Sequence, residues 1–116
     1  MPNWNPPKWT PYNYKHRPRA RLAWKKIVAR TLHSEAKYIP GMTDNDHEAL
    51  EMKCVHEGHL GGDNGSIRWF YLDTGQLIGA SEGKETTIVY AEWNRLGDLH
   101  GSPITKEELK KLGVQI

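Results

Sequence analysis

The chain of 116 residues has a single cysteine, Cys54. An intramolecular disulfide is impossible, so the fold needs no oxidising compartment. Phenylalanine is almost missing as well: one, against five tryptophans and five tyrosines. Trp and Tyr join a large apolar body to a polar handle, which suits half-wet surfaces and interfaces. No apolar run approaches the length of a membrane span. The first residues lack the apolar h-region of a secretory signal, and their prolines oppose the amphipathic helix of a mitochondrial leader. The cytosol is the expected compartment, and no membrane partner is expected. No cofactor signature occurs, so none is expected.

Acidic residues are missing from residues 1–34, which carry eight Lys and Arg. The rest of the chain has eight cations against fourteen acids, so a +8 segment precedes a −6 body. Such asymmetry points to an interaction arm for a polyanion or an acidic protein surface, or to an arm that folds back on its own body. The stretch "WNPPKWTPYNY" opens this segment, and five of the seven prolines lie in residues 1–18. Proline fixes φ and drives the preceding residue towards extended backbone, so residues 1–18 read as an extended arm.

Residues 19–39 contain neither proline nor glycine. At 100° per residue, Ala20, Trp24, Ile27, Val28, Thr31, Leu32, Tyr38 and Ile39 share one broad face, which predicts a long helix ended by Pro40-Gly41. Arg19, Lys26, Arg30, His33 and Lys37 fall on the other face. Residues 43–47 read as a polar loop and residues 50–55 alternate like a half-buried strand. The glycine-rich residues 57–65 read as a flexible connection. Residues 67–72, rich in β-formers on both faces, predict a central strand. "DTG" at 73–75 reads as a hairpin loop, with residues 77–80 returning as a strand. Residues 86–93 are read as a strand in preference to a helix, because β-branched residues cluster there. Thr105 with Glu108 forms a capping box for a short last helix that stops before Gly113.

The expected fold is therefore α+β: a long N-terminal helix on a three- to four-stranded antiparallel meander, with a short C-terminal helix and an extended N-terminal arm. The expected organisation is an arm over residues 1–18 and one domain over 19–116.

Four groups of residues carry chemistry. Lys8, Lys15, Arg17, Arg19, Arg21, Lys26 and Arg30 could meet phosphates, while Trp4, Trp9, Tyr12 and Tyr14 stack on bases or fill apolar pockets. Cys54, His56, His59 and Asp63 fall within ten residues and have the donor types of a zinc site, but lack the HExxH spacing. Gly58, Gly61, Gly62 and Gly65 could approach an anion, yet neither a P-loop nor a GxGxxG order is present. His56, Glu57, His59 and His100 could move protons near neutral pH. The leading expectation is a non-enzymatic protein that binds nucleic acid or a nucleoprotein assembly through the arm and helix. The alternatives are a protein-binding inhibitor or assembly subunit using the same arm, and a small His-dependent nuclease or metal hydrolase.

Overall fold

The computed structural model describes residues 4–11 and 13–116, and among these eight strands form two sheets beside three helices. In chain order they are β1 (Lys8–Trp9), α1 (Trp24–Arg30), β2 (Lys37–Tyr38), α2 (Asp44–Glu57), β3 (His59–Asp63) and β4 (Ile67–Asp73). Then follow β5 (Gly79–Ser81), β6 (Lys84–Thr86), β7 (Ile88–Asn94), β8 (Asp98–Ile104) and α3 (Lys106–Lys111). The larger sheet has the order β1-β8-β7-β4-β3 and the smaller β2-β5-β6. Only the β1–β8 pair is parallel.

The long N-terminal helix on a meander is not what forms. Helix α1 has seven residues and buries Ile27 alone. Beyond it the chain turns, and Lys37 and Tyr38 pair with Ala80 and Gly79 as a strand. Tyr38 is fully buried and its hydroxyl donates to Glu51 at 2.7 Å. Long-range pairing and burial thus override a local helical pattern.

The second correction concerns residues 44–57, expected as loop and strand. They form the longest helix, started by a capping box in which Thr43 accepts from the Asp46 amide and Asp46 from the Thr43 amide. Its buried positions are His47, Glu51 and Cys54, spaced by four and three. That is the helical period, but two of the three side chains are polar, so a search for apolar periodicity misses it.

The third concerns the hairpin. Gly75 does adopt the left-handed backbone, at φ 75°, but β4 pairs with β7 and β5 joins the smaller sheet. The glycine-rich connection is itself strand β3, paired with β4 through a bulge at Leu60/Gly62. The expected strand over residues 86–93 forms over Ile88–Asn94, and α3 carries the expected Thr105–Glu108 capping box.

The core lies between α2 and the larger sheet, where Tyr38, Cys54, Ile78, Val89, Ala91 and Leu99 pack together. Each fully buried Val or Leu there contributes about 1.5–3 kcal/mol. A second cluster of Ile88, Ile104 and Leu109 seats α3 at one end of the opposite face. The remainder of that face stays open.

Candidate active site

Directly paired residues in an antiparallel sheet point to the same face. Two such rows cross the open face. One is His59, Tyr71, Tyr90 and Ser102; the other is Gly62, Trp69, Glu92 and His100. The indole of Trp69 lies against the β3 backbone, because a Cβ on Gly61 would stand 2.1 Å from the ring. These glycines serve as a flat seat for an aromatic ring. Trp69, Tyr71 and Tyr90 form a continuous aromatic run, with Trp69 centroids 6.2 Å and 5.6 Å from the other two.

His100 Nε2 lies 3.3 Å from Glu92 Oε2, with the two side chains 38% and 32% exposed. The pair is therefore open to a ligand. The hydrogen bond from His100 holds the Glu92 carboxyl below its usual range, and the same bond raises the His100 pKa above 6.5. Tyr90 donates its hydroxyl to the other Glu92 oxygen.

A second histidine faces this pair. His16 and His100 line one small cavity with Lys15. Burial lowers the His16 pKa to about 4, with the charges of Lys15, Lys37 and His100 adding to the effect. Its Nδ1 donates to the Ala36 carbonyl at 2.7 Å. That bond fixes the tautomer and leaves Nε2 as the lone-pair nitrogen. His16 also borders a neighbouring depression floored by Tyr90 and Ser102, so the cleft continues along the sheet.

Below the cavity lies Glu51, 3% exposed, which accepts from Trp9 Nε1 at 2.9 Å and Tyr38 Oη at 2.7 Å. Its approach to β8 needs a glycine, since a Cβ on Gly101 would stand 2.0 Å from the Tyr90 carbonyl and 3.0 Å from Glu51 Cγ. His47 stacks on Tyr38 at 4.0 Å, and its buried Nε2 has no hydrogen-bond partner.

The arm brings His16 to this place. Lys8 and Thr10 donate their amides to Gly97 and Leu99 on the edge of β8. Trp4 meets Trp93 edge-on at 5.2 Å, with the Arg68 guanidinium 4.1 Å from the Trp4 ring centre. A turn with positive φ at Asn13 and Tyr14 redirects the chain, and the Tyr38 amide then donates to His16. Arg17 pairs with Asp44 and lies 4.0 Å over Tyr14. Compared with known protein families, curated proteins and solved structures, the chain has no significant match.

The remaining sequence candidates divide. Lys8, Arg21 and Lys26 are exposed and stand apart from the cleft. Arg19 and Arg30 meet in a groove beside it, although no single helix carries both. Tyr12 lies outside the described residues. His56 and Glu57 end α2 on its exposed side, while His59 packs against Tyr71 at 5.2 Å. Asp63 is held by Arg68 and the Gly65 amide. Cys54 is fully buried, its thiol pushed up to about 12 by that burial. Among the described residues no group of three or more His, Cys, Asp or Glu is placed to hold a metal ion. No helix among them is long and apolar enough to cross a membrane.

His16, Tyr90 and Glu92 were not singled out by the sequence. The signal for Glu92 was available: a tight turn ending at Gly97 pairs residue 92 with residue 100. Nothing local marks His16, whose partners are 20 or more residues away.

Proposed function

We propose that this protein is an acid–base phosphodiesterase acting on RNA. The observation that carries this reading is that two histidines line one cavity with their pKa values pushed in opposite directions, His16 down by burial and His100 up by its hydrogen bond to Glu92. Titratable groups whose surroundings push their pKa values apart mark the base and the acid of a reaction.

In the reaction, His16 Nε2 takes the proton from a ribose 2′-hydroxyl. The 2′-oxygen forms a bond to phosphorus, the bond to the 5′-oxygen breaks, and His100 delivers a proton to that leaving oxygen. The products are a 2′,3′-cyclic phosphate and a 5′-hydroxyl, and no oxidant or further reactant is consumed. Glu92 is a positioning residue that keeps His100 charged and oriented. The Lys15 charge, felt by both His16 and His100, favours the growing negative charge on the phosphate oxygens. Tyr90 and Trp69 offer ring faces for bases.

The readings in which the arm grips an outside partner have less support. Trp4, Trp9, Tyr14 and Arg17 already have partners within the chain.

The test compares a short labelled RNA with its 2′-deoxy counterpart. The RNA is expected to yield cyclic phosphate ends and the deoxy strand to stay intact. His16→Asn and His100→Asn should each slow cleavage at least about 100-fold without a change in fold, the usual contribution of a general acid or base. Equal cleavage by wild type and both variants, or no RNA cleavage at any pH, would overturn the reading.

A further inference from the structure

A groove of about 390 Å³ opens beside the cleft, between the N-terminal segment, α1 and β2. Arg19, Arg30, His33 and Lys37 line it over an apolar floor of Leu22 and Ile27, with Glu35 as its one acid. These cations are not arranged by a helix. They meet because the chain turns after α1 and returns as β2. Arg19, Arg30 and Lys37 are therefore drawn from three separate segments.

Their surroundings differ from those of Arg17 and Arg68. Arg17 and Arg68 are each paired with an aspartate. The Arg19 and Arg30 guanidinium groups make no hydrogen bond or ion pair with another described residue. Two such groups at one groove present planar donor forks suited to phosphate oxygens. Glu35 offsets only part of this charge, since Arg19, Arg30 and Lys37 line the same groove.

The groove also has a direction. Ser34 and Glu35 line both this groove and the depression that holds Tyr90 and Ser102. His16 lines that depression and the cavity of His100. The basic groove, the depression beside Tyr90 and the cavity of the two histidines thus adjoin one another, each sharing lining residues with the next along one path. We infer that this path binds a single RNA strand, its phosphates on Arg19 and Arg30 and its bases towards Tyr90, and leads it to the cleft. The destination rests on the phosphodiesterase reading; the groove itself does not. A single strand fits better than a duplex because its bases are free to stack on protein rings.

The experiment uses the full chain and a 5′-labelled 2′-O-methyl RNA, whose blocked hydroxyl prevents cleavage. Fluorescence anisotropy follows binding over a salt series. Arg19→Ala with Arg30→Ala is expected to weaken binding at least about 10-fold and to reduce the salt slope by about 1.4, the value for two lost phosphate contacts on a single strand. Cleavage of a dinucleotide, too short to reach the groove, should keep its wild-type rate. Both arginines are exposed, and a melting curve identifies a variant that has not folded. The inference is overturned if the double variant binds as wild type does, if duplex RNA binds better, or if polyglutamate competes as well as RNA. Binding through the two arginines without any RNA cleavage supports the groove and removes the phosphodiesterase reading. Dinucleotide cleavage with arginine-independent binding does the reverse.

Discussion

Replacing Trp9 with Phe removes one hydrogen bond at the point where the arm meets the core. The Glu51 carboxylate is 3% exposed and receives the Trp9 Nε1 proton at 2.9 Å. Burial pushes its pKa up, and the donors Tyr38 and Trp9 pull it partly back. Phe keeps a ring opposite Tyr14 while deleting the donor and part of the indole's bulk. A hydrogen bond to a charged group contributes about 1.5–3 kcal/mol. For a chain of this size that corresponds to a fall of about 5–15 °C in Tm. The deficit should also depend on pH. Loss of the donor raises the folded-state pKa of Glu51 further. A carboxyl with a raised folded pKa loses stability as pH rises from its unfolded value through its folded one. The variant should therefore lie closest to wild type at about pH 4, near the unfolded glutamate value, and fall behind towards neutrality. Thermal unfolding followed by circular dichroism at two pH values measures both effects. A Tm equal to wild type at neutral pH, or a deficit identical at both pH values, would refute the argument.

Three further outcomes are expected. Under the proposed mechanism, activity is expected to fall as pH rises through the raised His100 pKa and as pH falls through the His16 value of about 4. Glu92→Gln removes the main cause of the His100 shift, so the alkaline limb of kcat/KM should move to lower pH while the acid limb stays; an unmoved alkaline limb contradicts the pairing. Gly61→Ala places a methyl group 2.1 Å from the Trp69 ring and should cost about 1–3 kcal/mol with a shift in tryptophan fluorescence; wild-type stability would mean the indole does not lie on β3.

Residues 105–113 were legible because both halves of the capping box are local, and the strand at Ile88–Asn94 because the β-branched run Thr86, Thr87, Ile88 and Val89 leads into it. Helix α2 was not legible, since the side chains it buries include His47 and Glu51, whose reason for burial lies in Tyr38 and Trp9. The long helix over residues 19–39 was a false pattern. Tyr38 and Ile39 are apolar because a second sheet receives them, and their place in a helical period is incidental. Within the candidate site, His100 was visible as a titratable group of unknown neighbours. Its partner Glu92 follows from hairpin register, which requires the turn to be placed correctly. The cationic groups were counted correctly from the sequence, but their grouping depends on turns at Tyr14 and after α1 that no local signal announces.

The pairing of β1 with β8 has a consequence for timing. The Asn5 side chain donates to the Leu96 carbonyl across 91 positions of sequence, and Trp93 donates to the Asn5 carbonyl across 88. A closure of that length offers no reward until β8 has formed, because the Lys8 and Thr10 amides donate to Gly97, just before β8, and to Leu99 within it. During synthesis these arm residues therefore exist long before their partners do. His16 travels on the same segment. Under the phosphodiesterase proposal, His16 and His100 meet only when this ring closes, so an incompletely folded copy would have no assembled site with which to attack the RNA around it.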